Sequence, residues 1–576
     1  MKAWSLIAIL LISLACTKKD SARENSLNWA LSSALSTIDP ALCYDTVSSK
    51  VVYQVYETLY EYEYLVRPYQ LKPLLAEDMP LVTDEGKTYK IKIKDGIYFH
   101  DSTHFGGKRR KLKAQDFINQ IKRVAYVPTQ STGWWMFDNK VIGLNEFREK
   151  AKTLEDFFKL DVPGLQAPDD QTLIIKLKEP YPQLQYVLAM AFSTPMPEEV
   201  IKGTKNELDA SNTMIGTGPY QLVERNHGLN IKLKKFKNYH TQTYPANGDR
   251  ISYEKKLLTD RGKELPFIDR INFHIIKEDQ TRWLKFMNKE IDAIVLRKDQ
   301  IPIAIGPSGQ LKEEFQGQGI ELQVAPTLTY WWLAFNMKHP IIGKNLKLRQ
   351  AIAHAVNIDE YIQKFTHNIS LKANSIYPPG VFGYSPSNIL PYDYNPAKAK
   401  KLLAEAGYPE GKGLPEFNYD VRGSSTVSRQ MGEYIQKELE SIGIKLKLNI
   451  NTFPGFLNKA RTGQLEIWQG GWQMDYPDPE NVIQLFITKN HSPGPNSTFY
   501  SNKEVDKLYQ ELFSVKNEAE VKEITSKVQK IVNKDLPWVM QFYTRNYILH
   551  HTYVKNFRQS DLINNNFKYL RISTKN

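Results

Sequence analysis

Residues 427–450 constrain the fold more than any other stretch. Val427, Met431, Ile435, Leu439 and Ile442 recur at helical intervals, which predicts one apolar face of a helix. Gly443 ends it, and Ile444, Leu446, Leu448 and Ile450 then alternate with Lys445, Lys447 and Asn449, the pattern of a half-buried strand. A helix passed into a strand by one glycine is a building unit of an α/β layer. The second half repeats this logic. An amphipathic segment covers 346–356, and Asn395-Pro396 opens a helix that Gly407 stops. Helices are predicted over 503–513 and 518–532, and a strand over 538–549. The first half is richer in strands, at 27–31, 88–94, 172–177, 220–223, 230–236 and 268–276, with helices over 47–59, 114–124 and 281–288. At 576 residues the chain exceeds one ordinary core, so two or three lobes are expected.

The N-terminus predicts export. Lys2 precedes the apolar run 3–14, which is too short to cross a bilayer, and Ser13-Leu14-Ala15-Cys16 ends it on small residues and a cysteine. Residues 1–15 are expected to be a signal peptide and 16–26 a polar tether. With Cys16 committed to that segment, Cys43 is alone and no internal disulfide is possible. The net charge of +13 raises nucleic acid or an anionic membrane as a partner. Lysine and arginine are scattered, however, and the densest run, 108–111, is short, so no nucleic acid is expected.

The stretch 465–486 gathers Trp468, Trp472, Gly470-Gly471, Asp475, Asp478 and Glu480. A short strand is expected over 465–468, with the glycine pair letting the backbone approach another group. Pro477 and Pro479 then halt regular structure, and Asn481 opens an apolar helical run. An acid and large aromatics at a strand-to-loop edge suit a ligand that is both cationic and apolar; a packed structural turn is the alternative.

Motifs for catalysis are missing. The sequence has no His-Glu-x-x-His, Gly-x-Ser-x-Gly, phosphate loop or Cys-x-x-Cys. Gly216-Thr217-Gly218-Pro219-Tyr220 turns into a strand rather than a helix. His100 and His104 have metal-ligand spacing but fall in a predicted loop, and His550-His551 point to opposite faces of a strand. No metal, no cofactor and no enzyme are expected. A hydrolase using Asp475 and Asp478 is the remote alternative.

The chain resembles the large bacterial extracytoplasmic solute-binding proteins of family 5, the peptide-binding receptors of ABC transporters. The likeness rests on landmarks in order: Ile38-Asp39-Pro40, Tyr56-Glu57-Thr58-Leu59, Leu71-Lys72-Pro73-Leu74-Leu75, Phe99-His100-Asp101, Ala114-Gln115-Asp116-Phe117 and Gly216-Thr217-Gly218. Ala334-Phe335-Asn336, Arg349-Gln350-Ala351-Ile352, Lys401-Leu402-Leu403 and Gly471-Trp472-Gln473-Met474-Asp475-Tyr476-Pro477 follow. The signal likewise resembles a lipoprotein signal in which Cys16 is lipidated.

The resemblance implies a two-lobed α/β periplasmic-binding-protein fold with an extra domain and a hinge. One lobe is expected from 27–66, 211–277 and 541–576, the extra domain from 67–210 and the second lobe from 278–540. It implies a monomer, lipid-anchored in the periplasm or at the cell surface, that delivers peptides to a permease. Asp475 is implied to meet the ligand's α-ammonium group, with Gly471 and Trp472 beside it. Position in that fold adds Tyr44, Asp45, Thr46, Trp134 and Trp135. Relatives often carry arginines ahead of Gly-Trp to meet the ligand carboxylate; Gln469 and Ala460 stand there, with Arg461 shifted by one. That departure keeps metal chelates, glycoconjugates and opines as alternative ligands.

Overall fold

The computed structural model describes residues 25–573 apart from 298, 424–425, 452, 493 and 516, and apart from the side chains of 453, 454 and 461. The expected signal segment and Cys16 lie outside the described residues.

Three sheets organise the chain. The first orders strands Ser26–Leu31, Arg270–Ile275, Asn230–Lys235 and Tyr220–Asn226, parallel at the first pair and antiparallel thereafter. The second is antiparallel, built from Leu81–Thr83, Thr88–Lys92, Thr172–Lys176 and Leu165–Asp169. The alternating lysines of 88–94 keep its outer face in water, while Tyr89, Ile91 and Ile93 enter the core. The helix Ala114–Ala125 packs on this sheet.

The third sheet has seven strands. At its centre the long strands Ile320–Phe335 and Trp538–His551 pair antiparallel along almost their whole length, from Ile320 opposite His551 to Ala334 opposite Trp538. Ile467–Gln473 pairs with the far half of Ile320–Phe335, and Phe417–Val421 and Leu446–Ile450 complete that side in parallel. The helix Thr426–Glu440 and the strand after it form the α/β unit expected from 427–450. The near half of the paired strands packs instead with Ala293–Val295 and the core around Trp283, Phe286 and Phe315. The two strands therefore run through both lobes. The boundary expected at 540/541 falls inside one continuous strand.

Two local expectations change. The helix expected over 47–59 ends at Val55, and Tyr56 is extended, because the next residue is used elsewhere. Glu57 accepts hydrogen bonds from Thr217 at 3.0 Å and Tyr239 at 2.7 Å, and lies 2.9 Å from His240. The strand expected over 465–468 runs on to Gln473, through both glycines, because Thr329–Phe335 pairs with it throughout.

The ordered landmarks are largely structural. His100 donates from Nε2 to the Gly218 carbonyl at 2.8 Å, and burial pushes its pKa down to about 4, so it stays neutral. Arg349 donates to the carbonyls of Ile342, Gly343, Asp535 and Leu536. Arg123 of the helix Ala114–Ala125 makes a two-point ion pair with Asp39, at 3.0 and 2.5 Å, and both side chains are almost fully buried. This pair links the first lobe to the second sheet.

Removing one partner of a buried pair leaves the other charge uncompensated. Asp39→Ala is expected to destabilise the protein by roughly 3–5 kcal/mol in urea unfolding, the range for breaking such pairs. A loss below about 1 kcal/mol, the value of an exposed pair, would show that water reaches Arg123.

Candidate functional site

The residues around Asp475 are arranged by the glycine pair before it. A Cβ at Gly470 would sit 2.3 Å from Trp332 Nε1, and one at Gly471 would sit 2.5 Å from the Trp331 ring. Two indoles lie directly on the strand, one on each face, and only glycine leaves them room. The group that the glycine pair admits is thus a tryptophan on each side.

On one face a cavity of about 570 Å³ opens. Trp332, Trp468, Trp538 and Phe456 form its interior, and Trp472 and Gly471 its strand edge. Tyr44 comes to it from the other lobe and Thr132 and Trp135 from the turn segment that follows the helix Ala114–Ala125, and Asp475 lies among them.

Asp475 is half-buried. Tyr44 donates its hydroxyl to Asp475 Oδ1 at 2.7 Å, across 431 positions of sequence. Asn481 Nδ2 donates to Oδ2 at 3.3 Å, while Asn481 Oδ1 accepts from Trp472 Nε1 at 2.9 Å and from the Asp475 backbone N–H at 3.3 Å. Asn481 therefore fixes the carboxylate and the tryptophan together. Among the described residues no lysine, arginine or histidine forms an ion pair with Asp475. Burial outweighs the Tyr44 and Asn481 hydrogen bonds and raises its pKa above the ordinary carboxylate value.

The following residues hold the turn and the lobe contact. Asp478 Oδ1 accepts from the Glu480 backbone N–H at 2.8 Å. Tyr476 stacks on Tyr186 with ring centres 5.4 Å apart. Glu480 accepts from Tyr509 at 2.6 Å and Tyr476 at 2.7 Å, and burial raises its pKa to about 7. The second carboxylate of the Asp475/Asp478 pair is thus built into a turn.

Several expected site residues are placed elsewhere. Asp45 caps the helix Thr46–Val55: its Oδ1 accepts from the N–H groups of Val47 and Ser48, and Ser36 donates to its other oxygen. Thr46 lines a separate cavity of about 450 Å³ with Lys50, Gln473 and Asp561. Trp134 packs on the hydrophobic core shared by the first lobe and the second sheet, with the Arg148 guanidinium 4.6 Å above its ring. Gln469 is turned away by strand alternation. Its side chain lies on the other face of the sheet and donates to Tyr361 at 3.0 Å, beside an apolar cavity lined by Trp331, Phe365 and Phe542. Ala460 lines the Asp475 cavity; the Arg461 side chain is outside the described residues.

One cation was missed. Arg422, just past the strand Phe417–Val421, reaches the same cavity, with its guanidinium 5.0 Å above Trp331 and donating to the Gly471 carbonyl at 3.3 Å. Burial lowers its pKa. No local signal marks it, since it lies far from Gly-Trp in sequence and arrives through the parallel pairing of Phe417–Val421 with Ile467–Gln473. Trp538 was likewise read only as the start of a strand, and Trp332 fell in no expected element. Among the described residues no cluster of three potential metal ligands occurs, and no helix is long and apolar enough to cross a membrane.

The Tyr44 hydroxyl bridges the lobes. Tyr44→Phe is expected to weaken closure by roughly 1 kcal/mol, the net value of one hydrogen bond. The readout is small-angle scattering of the ligand-free protein, where the open form gains population. An unchanged profile would mean that the bond contributes nothing to closure.

The sequence matches the family described as bacterial extracellular solute-binding proteins, family 5 middle, over residues 70–494. It is similar to the glutathione-binding protein GsiB of Shigella dysenteriae, 25% identical, covering 93% of this chain and 91% of that protein. It is similar to the heme-binding protein A of Haemophilus influenzae, 25% identical, covering 92% and 88%. Its structure resembles the ABC transporter-associated periplasmic binding protein DppA of Helicobacter pylori in complex with the peptide STSA. That match has a TM-score of 0.69 at 23% identity, covering 95% of this chain and 98% of that one.

Proposed function

The chain belongs to the bacterial extracellular solute-binding proteins of family 5, and on that footing we propose that it is the extracytoplasmic receptor of an ABC importer for short peptides, with Asp475 pairing the ligand's α-ammonium group. Family members named for glutathione, heme and peptide ligands share the architecture, so the fold alone does not choose among them. The observation that carries the peptide reading is the Asp475 carboxylate. It is held in place by two neutral donors, half withdrawn from water, and has no cation of its own among the described residues. An ammonium group supplies the missing charge and further donors. Arg422, in the same cavity, is a candidate for the ligand's carboxylate end and takes over the role sought at Gln469. An extended peptide lying along Ile467–Gln473 would be held mainly through its backbone, which permits varied sequences.

The lobes that close on the ligand are assigned as 27–66, 211–277 and 541–576 against 278–540, with 67–210 as the extra domain, and the paired long strands serve as the hinge. Cys16 is assigned as the lipidated residue that tethers a monomeric receptor to the membrane beside its permease. Changing Cys16 to Ser is expected to move the protein from the membrane fraction to the soluble fraction of expressing cells. Retention on the membrane would remove the lipid assignment.

Asp475→Asn is expected to weaken peptide binding by roughly 2–5 kcal/mol in calorimetry, the range for truncating one partner of a desolvated charge pair. The pH dependence has a definite sign. The ligand-free carboxyl titrates above its ordinary range and the ammonium binds the ionised form, so affinity falls as pH drops through the raised pKa. The fall should approach about tenfold per pH unit below it and vanish in Asp475→Asn. Equal affinity of wild type and Asp475→Asn for a peptide library would overturn the assignment.

A further inference from the structure

The cavity of about 450 Å³ where the lobes meet holds a cation that the protein leaves without a partner. Lys50, on the helix Thr46–Val55, lines it and is half-buried. Among the described residues its ammonium group makes no ion pair and donates no hydrogen bond. Burial lowers its pKa to about 8, and the more distant Asp561 only partly offsets this. Other withdrawn lysines are treated differently. Lys568 meets Glu61 at 2.7 Å, Lys459 meets Asp420 at 2.7 Å, and Lys122 donates to the Leu160 carbonyl at 2.9 Å.

The rest of the lining does not supply the missing charge. Asp561 is the one carboxylate among the lining residues, and it accepts from the Leu328 backbone N–H at 3.0 Å instead of pairing with Lys50. Arg282 and Arg297 also line the cavity, so three cations stand there against one anion. Arg282 is occupied by the Lys277 carbonyl at 2.8 Å and by Asp279, which leaves Lys50 as the cation in want of an acceptor. A desolvated ammonium group is stabilised by a carboxylate placed against it, through charge-assisted hydrogen bonds. The strand of the candidate site fixes where such a carboxylate would come from. Gln473 ends Ile467–Gln473, lines this cavity and pairs with Thr329, which lines it too. A peptide held at Asp475, two residues on, and laid along that strand passes the cavity close to its amino end. Side chains of an extended peptide alternate between faces, so one near the amino end can turn in, while the carboxyl end lies further along.

Resting on the peptide reading above, we propose that this cavity is an acidic-side-chain subsite, in which Lys50 selects peptides bearing a carboxylate side chain near their amino end. The polar lining of Thr46, Thr544, Asn546 and Gln559 suits a charged group that keeps some of its water. The subsite is separate from the aromatic cavity beside Trp472, and it assigns Lys50 a role distinct from that of Arg422.

The test is calorimetry at pH 7 with Ala-Glu-Ala, Ala-Gln-Ala, Glu-Ala-Ala and Gln-Ala-Ala on the full-length protein, on Lys50→Met and on Lys50→Arg. Methionine keeps most of the stem and removes the charge; arginine keeps the charge. In the wild type one Glu peptide is expected to bind at least about tenfold more tightly than its Gln counterpart, the lower value of a hydrogen bond to a charged group. That ratio should fall toward unity in Lys50→Met and be largely kept in Lys50→Arg. Equal binding of Glu and Gln peptides by the wild type overturns the subsite and leaves the peptide reading standing. Binding of none of the four overturns both. A Glu preference that survives unchanged in Lys50→Met overturns the role given to Lys50. A fourth comparison uses Ala-Gln-Ala with a free and an amidated carboxyl end. If Lys50→Met removes a preference for the free end instead of the Glu preference, Lys50 reads the ligand's terminus and the side-chain assignment is overturned. The wild-type ratios decide the matter even where a variant folds poorly.

Discussion

The antiparallel ladder between Ile320–Phe335 and Trp538–His551 is the constraint on which the rest of the protein depends. One half of it belongs to the core around Trp283 and Phe286, the other to the sheet that holds Ile467–Gln473. A ladder of this length joins the two cores through continuous backbone, which is why it is proposed as the hinge. It also sets the candidate site. Pairing with Thr329–Phe335 carries Ile467–Gln473 past its glycines and delivers Trp472 and Asp475 to the end of the strand, facing Tyr44 on the other lobe.

At that point two kinds of buried charge are treated differently. Asp39 with Arg123, and Glu61 with Lys568 at 2.7 Å, are paired inside the protein and hold its parts together. Among the described residues Asp475 is given hydroxyl and amide donors, which orient the carboxylate without neutralising it. The raised pKa follows from that arrangement. On the function proposed above, withholding a protein cation from a positioned carboxylate leaves a preference for a cationic ligand, a form of preorganisation that lowers what binding must spend on ordering the site.

The sequence was most informative where period and punctuation are local. The unit at 427–450, the Asn395 cap and the strand at 88–94 all formed as expected, because each is decided by residues within one or two turns of one another. The landmarks were legible as a series, and the structure gives most of them architectural work: Gly216 and Gly218 lie against Val55, and His100 against Gly218. The site was less legible. Asp475, Trp472, Tyr44 and Trp135 converge on one cavity, but Asp45, the residue after Tyr44, caps a helix instead. Gln469 is lost to the far face by strand alternation, and Arg422, Trp332 and Trp538 enter through pairing partners that no local pattern announces. Side-chain direction on a strand and long-range pairing decide these cases, and both are properties of the assembled sheet.

Recognition of the ligand's ammonium group by Asp475 is tested most directly by comparing one peptide with its N-acetylated form in calorimetry. Acetylation removes the positive charge and leaves the backbone and side chains in place. If Asp475 is matched to an ammonium group, the free peptide binds and the acetylated one shows no measurable heat at the same concentrations. Equal affinity for both forms would contradict it, because the carboxylate would then be indifferent to the charge placed against it.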